Sequence, residues 1–251
     1  MPADERFVFR RYRPGDESSI VDLFTRSFGG ERTLEHWRWK YADNPFGNAH
    51  VGLAVEGDRV VAQYGGYAVP FWYDRRDLEA HHIADIMSDP AVRHIGRGPT
   101  SIFARTAAQF YGDFCENRIA FNYGFSTATS RAFGNRFLGV HTVEPVPYRR
   151  RTNVDRISRL QRWLSGYRLE IVREVGQEFD ELFRSVAPSY RFLVRRDAAY
   201  IRWRYLTLHE QGYFVIAIRR RERLVGWSAF RIREDKLVWG DALFSDAAAV
   251  E

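Results

Sequence analysis

The sequence predicts an α/β (α+β) protein: a mixed, mostly antiparallel twisted sheet flanked by helices, followed by a partial second copy of the same plan. Three observations carry this. Strand-like and helix-like periodicities alternate from residue 7 to residue 148. The run Ile83-Ala84-Asp85-Ile86-Met87-Ser88 leads through a glycine turn into a helix start. Patterns of the first half recur in the second, the mark of an internal repeat.

Taken in order, Phe7 to Tyr12 alternates apolar and polar residues and reads as a strand. After Pro14-Gly15, Asp16 is placed to cap a helix with Ile20, Leu23, Phe24 and Phe28 at helical spacing, stopped by Gly29-Gly30. Thr33 caps a short helix through Trp37 and Tyr41, ended by Asn44-Pro45. His50–Val55 and Arg59–Phe71 flank the Gly57-Asp58 turn as a hairpin. Then come a strand over Leu78–Ser88, a helix over Thr100–Phe110, a strand over Ile119–Tyr123 and a helix over Thr127–Phe137. Leu138-Gly139-Val140 closes that helix, and Thr142–Tyr148 reads as a last strand.

Residues 149–168 are basic and weakly patterned, a linker with a helix near Leu160–Leu164. Beyond them the opening pattern returns. Trp37-Arg38-Trp39-Lys40-Tyr41 matches Ile201-Arg202-Trp203-Arg204-Tyr205, and Val60-Val61-Ala62 matches Leu224-Val225-Gly226 at the same offset. Asp22-Leu23-Phe24 matches Glu181-Leu182-Phe183, and Asp85-Ile86-Met87 matches Asp241-Ala242-Leu243. The expected organisation is therefore a domain over 1–148, a linker over 149–168 and a partial or degenerate second domain over 169–251. Where the second copy should carry a glycine loop, only Ser245-Asp246-Ala247-Ala248-Ala249-Val250-Glu251 follows, which suggests either a degenerate half or a truncated chain.

The loop of the first half, Arg93-His94-Ile95-Gly96-Arg97-Gly98, is followed by Pro99, which suits a first helical turn. Glycines admit close backbone approach, and N–H groups at a helix start have no helical acceptor, so a strand–glycine–helix unit is an anion site. The spacing is neither G-x-G-x-x-G nor a P-loop. Arg-x-x-Gly-x-Gly resembles the acyl-CoA loop of the GNAT superfamily of N-acetyltransferases, whose order of elements the chain also follows over about residues 7–148.

The resemblance implies an acetyl-CoA-dependent N-acyltransferase, with acetyl-CoA as acyl donor and a primary amine attacking directly in a ternary complex. It implies that Arg93, His94, Ile95, Gly96, Arg97 and Gly98 cradle the pyrophosphate and that Ile86, Met87 and Ser88 present a free strand edge to the pantetheine. It makes the Met87 N–H the oxyanion donor. His82 and Asp85 are the candidate bases. Histidine suits the role by its pKa, Asp85 would need a raised one, and strand parity sets the two on opposite faces. Many family members carry a general-acid tyrosine four residues before the glycine equivalent to Gly139; Asn135 stands there and can hydrogen-bond a sulfur but not protonate it. Tyr123 and Ser126 are nearby substitutes.

Bulk properties narrow the alternatives. At 251 residues, with 45% hydrophobic and 16% aromatic content, the chain has material for a sizeable core. No apolar stretch is long enough for a membrane helix, and the N-terminal residues lack a signal-peptide apolar region. A single cysteine, Cys115, excludes an internal disulfide and fits a reducing cytoplasm. With one cysteine and scattered histidines no metal-ligand spacing is seen, and no metal is expected. The net charge of +6 gathers in Arg149-Arg150-Arg151, Arg195-Arg196 and Arg219-Arg220-Arg221, which reads as solvated arginine or as attraction for polyanions. The acceptor expected is a small-molecule or peptide amine rather than nucleic acid, and a homodimer is compatible. Two rival readings stand: a tandem-GNAT transferase using aminoacyl-tRNA, which usually lacks a clean glycine loop, and a non-catalytic acyl-CoA-binding module.

Overall fold

A computed structural model describes residues 6–116, 118–147, 150–152 and 166–245. The chain divides into two compact units, residues 1–71 with 77–143, and residues 72–76 with 144–251. The expected linker helix and the chain end beyond Ser245 lie outside the described residues.

The first unit runs β1 (Val8–Arg11), α1 (Glu17–Phe28), α2 (Leu34–Lys40), β2 (His50–Glu56), β3 (Arg59–Tyr73), β4 (Arg76–Ser88), α3 (Ile102–Phe114), β5 (Phe121–Tyr123) and α4 (Ala128–Phe137). Its strands lie side by side in the order β1-β2-β3-β4-β5. The β1–β2 and β2–β3 pairs are antiparallel, whereas β4–β5 is parallel and short: only Ala80, His81 and His82 pair, with Phe121, Asn122 and Tyr123. Residues 51–55 of β2 and 60–69 of β3 are buried throughout, because helices cover both faces of the sheet. On one face α3 sets Ala107, Phe110 and Phe114 against Tyr64, Ile83 and Ile86. On the other, α1 buries Ile20 and Leu23, and α2 buries Trp37, Trp39 and Lys40.

Local capping differs from the sequence expectation in instructive ways. Thr33 caps α2 as expected, its side chain accepting the His36 N–H at 3.0 Å. Asp16 precedes α1 but makes no cap bond; its carboxylate is taken by Arg10 at 2.7 and 2.8 Å, a stronger charged partner. The helix expected from Thr100 to Phe110 instead begins at Ile102 and ends at Phe114. Gly98-Pro99-Thr100 forms a single 3₁₀ turn, and Ser101 then caps α3 by accepting the Ala104 N–H at 3.2 Å. The strand expected over Thr142–Tyr148 is not formed at residues 142–147, where Val143 and Val146 are exposed. Pro145 and Pro147 lack the N–H groups a ladder needs, so an alternating pattern does not suffice there.

The second unit contains β6 (Tyr167–Val172), α5 (Glu178–Val186), β7 (Phe192–Val194), α6 (Ala198–Ile201) widening into a π-helical turn (Arg202–Thr207), β8 (Tyr213–Arg220), β9 (Arg223–Arg233) and β10 (Lys236–Phe244). Its sheet order, β6-β8-β9-β10, is antiparallel throughout and repeats β1-β2-β3-β4 of the first unit. The repeat read from sequence is thus a repeat of topology.

Candidate functional site

The glycine loop leaves the end of β4 and is anchored by its apolar residues. Val92 is buried and Ile95 packs on the cluster of Phe7, Ala54, Val61, Val92 and Ile102. Arg93, His94, Gly96 and Arg97 are exposed. Gly96 and Gly98 have left-handed φ values of 72° and 54°. A Cβ at Gly96 would fall 2.3 Å from the Thr100 carbonyl oxygen, so this turn excludes any side chain.

The cradle is narrower than the sequence implied. The Ile95 N–H donates to Val92 O at 3.0 Å and the Arg97 N–H to Thr100 Oγ1 at 3.2 Å. Among the described residues, the Gly96 and Gly98 N–H groups make no such backbone bond. Arg93 turns back so that its Nε donates to Ser88 O at 2.9 Å, and the Ser27 hydroxyl reaches the same carbonyl at 3.3 Å. The Ser88 carbonyl is therefore committed within the protein.

Asp85 corrects two expectations. Its φ is 51°, a left-handed residue inside a strand, and this breaks the side-chain alternation. Before it, odd-numbered Ile83 packs toward α3; after it, even-numbered Ile86 does. Simple parity fails, and the Asp85 carboxylate turns toward α2. There it accepts Arg32 at 2.5 Å, Lys40 Nζ at 2.9 Å and the Tyr41 hydroxyl at 3.0 Å. The Tyr67 ring stands beside both Tyr41 and Lys40, and its hydroxyl meets His82 Nδ1 at 2.5 Å. Asp85 and His82 thus belong to one network on one face. The second correction concerns charge. Burial pushes the Asp85 carboxyl up, but Lys40 and Arg32 outweigh it and hold the group below the ordinary carboxylate value. The raised pKa that a base at this position needs is absent.

The second unit builds the same device. Asp241 accepts Arg196 Nε at 2.7 Å, the Tyr200 hydroxyl at 3.0 Å and the Tyr205 hydroxyl at 2.9 Å. A register shift between Trp239 and Asp241 marks the kink in β10. Tyr205 and Asp241 are the residues that the repeat aligns with Tyr41 and Asp85.

Beyond His82 and Tyr123, β4 and β5 no longer pair, and a cavity of about 400 Å³ occupies the gap. Phe24 and Phe28 of α1 line one side, and Tyr64, Phe103, Tyr111 and Leu138 line the other. The cavity so passes through the sheet at the splay, with Ala84, Asp85 and Ile86 on its wall. His82 stacks on Tyr123 at 4.8 Å and meets Phe125 edge-on at 5.5 Å, and both aromatic residues are on the wall. Met87 is buried and lines a small void with Ile20, Val21 and Phe24.

Asn135 is exposed and not on the cavity wall. Its side-chain amide lies at the end of α4, and with its oxygen and nitrogen exchanged the nitrogen donates to the carbonyls of Val140 and Arg131 at 2.9 and 3.2 Å. On α4 it is Ser130 and Gly134 that face the cavity. The hydroxyls overlooked in sequence are those of Tyr64 and Tyr111, 2.9 Å apart on two different elements. Burial raises both phenols, so both stay protonated at neutral pH. The expectation of no metal-ligand cluster also needs amending: His50, Glu79 and His81 come together from two strands.

A family model described as an acetyltransferase (GNAT) domain matches residues 8–137, the segment holding β1 to α4. The chain belongs to the GNAT acetyltransferase family. GNAT proteins are acyl-transfer enzymes, and the solved structures similar to this chain carry the same fold. One is a probable N-acyltransferase from Enterococcus faecalis V583, 12% identical, with a TM-score of 0.62 over 97% of this chain and 60% of that one. Another is a GCN5-related N-acetyltransferase from Anabaena variabilis, 14% identical, with a TM-score of 0.62 over 98% of this chain and 60% of that one. A third is the N-myristoyltransferase of Saccharomyces cerevisiae with bound myristoyl-CoA, 10% identical, TM-score 0.56, over 97% of this chain and 67% of that one. The chain therefore spans about 60% of the length of the first two. No curated protein matches it in sequence. Among the described residues no helix is long and apolar enough to cross a membrane.

Proposed function

We propose that the first unit is an acyl-CoA-dependent N-acyltransferase that moves an acetyl group to a primary amine. The observation that carries this is the through-sheet cavity where β4 and β5 part, bounded by the Asp85 kink and placed just before the glycine turn that opens α3. The turn fits a pyrophosphate: side chains are excluded at Gly96, the residue is exposed, and Arg97 adds positive charge.

Within this reading the acyl thioester lies along Ile86 and Met87, and the Met87 N–H donates to its carbonyl oxygen as negative charge develops there. His82 takes a proton from the incoming ammonium, leaving a lone pair to attack the thioester carbon. For that, His82 Nδ1–H donates to the Tyr67 oxygen, and Nε2 is the nitrogen that takes the proton. As the carbon–sulfur bond breaks, the departing thiolate takes a proton from Tyr111, the role Asn135 is not placed to fill, and the second proton shed by the newly acylated nitrogen returns to the phenol through solvent. The kink at Asp85 positions Ile86 and Met87; it does not move a proton.

The test is direct. Calorimetry with acetyl-CoA measures binding, and release of free thiol with a panel of small and peptide amines measures turnover. Saturable binding with amine-dependent thiol release is expected. Binding without thiol release across the panel would favour the non-catalytic reading, and absence of binding would overturn the site.

A further inference from the structure

The structure assigns a divalent transition-metal site, of the zinc type, to His50, Glu79 and His81 on the α3 face of the first unit's sheet; we infer it from the convergence of their ligand atoms. These atoms lie within 4.8 Å of one another. His50 Nδ1 and His81 Nε2 approach to 2.6 Å. Two imidazoles and one carboxylate, with a fourth position open to water, is a donor set zinc prefers.

The fold prepares this meeting. His50 begins β2 and pairs across the ladder with Gly66 of β3, while His81 and Glu79 stand two residues apart on β4. A side chain at Gly66 would sit between the strands' rings: its Cβ would fall 2.9 Å from the His81 Cβ and 2.9 Å from Phe110. The missing side chain opens a slot in the middle strand, and both imidazoles fill it. Phe114 stacks on His50 at 4.7 Å and Phe110 flanks His81 at 5.6 Å, an apolar surround on the α3 side. The Glu79 carboxylate, exposed at the rim, has no hydrogen-bond or ion-pair partner among the described residues and gives an ion its path from solvent.

Imidazole ligands bind a metal in their neutral form. Binding needs both facing lone pairs. The proton shared in the His50–His81 contact therefore shifts to the other ring nitrogen, without net loss. On His81 that nitrogen is Nδ1, with Cys115 Sγ 3.8 Å away to support the N–H. The N···N distance must widen by roughly 0.7 Å to reach tetrahedral spacing at Zn–N lengths of about 2.0–2.1 Å. The ion then ties β2 to β4 across β3, apart from the acyl-transfer cavity.

The experiment uses the whole chain, freed of metal with a chelator. Calorimetry with Zn²⁺, and the visible absorption of four-coordinate Co²⁺, measure affinity and geometry; thermal melting measures the stability gained. One equivalent should bind with tetrahedral Co²⁺ bands and a raised melting temperature. His50→Asn and Glu79→Gln should each lower affinity by at least about 10-fold, with metal-free melting curves showing that both fold. Cys115→Ser should keep tight binding. No saturable Zn²⁺ binding by the unaltered chain, undiminished binding in both ligand variants, or loss in the cysteine variant alone would each overturn the site.

Discussion

Replacing Asp85 with Asn tests the account of the β4 kink most severely. The variant keeps the shape and one acceptor oxygen but removes the negative charge that Arg32 and Lys40 share. The three side chains are 10%, 14% and 11% exposed, so water cannot replace the lost counter-charge. Stranding one partner of a buried ion pair costs about 3–5 kcal/mol. At about 2–4 °C per kcal/mol for a chain of this size, the melting temperature should fall by roughly 6–20 °C. Adding Lys40→Met removes the stranded ammonium, so the double variant should recover part of the loss, a coupling that independent sites would not show. Acid gives a second readout. Asp85 is held below its ordinary value, so its contribution is complete above the unfolded-state pKa of about 3.9 and is lost as pH falls through the folded one. The unaltered protein should therefore lose an increment of stability below about pH 4 that Asp85→Asn lacks. Thermal melting followed by tryptophan fluorescence, at pH 7 and in steps toward pH 3, measures both. An Asp85→Asn protein melting within about 2 °C of the parent at pH 7 would mean that the cluster behaves as an exposed pair, and the argument would fail.

Further outcomes follow from the site. Gly96→Glu puts a carboxylate and a Cβ where the turn admits neither, so acetyl-CoA binding by calorimetry should weaken by at least about 100-fold while circular dichroism stays native; unchanged affinity would remove the loop from the binding site. His82→Ala should lower turnover by roughly 10²-fold with acetyl-CoA affinity kept, and Tyr67→Phe should shift the pH profile of the remaining activity; full activity in His82→Ala would place the base elsewhere. Asn135→Ala should leave turnover close to the parent's and cost about 1 kcal/mol of stability from the α4 end; a large loss of kcat would return Asn135 to the reaction.

Sequence alone determined the elements whose signals are local. Thr33 as a cap, the Gly57-Asp58 hairpin, the glycine turn of the loop and the repeated Tyr and Asp of the two halves are short-range patterns, and each reads directly from residue chemistry. Where a rule needed a partner, sequence reading failed. Alternation at Thr142–Tyr148 makes no strand at residues 142–147, because prolines deny it a ladder. Parity set His82 and Asp85 apart, because nothing in a residue string shows that Asp85 adopts a left-handed conformation; that is fixed by Arg32, Lys40 and Tyr41, distant in sequence, drawing its carboxylate toward α2. The Asp85 charge state follows from those same cations. The pairing of Tyr64 with Tyr111, and of His50 with His81 across Gly66, is likewise decided only when strands and helix pack, since contact between residues far apart in the chain is a property of the packed sheet and not of spacing.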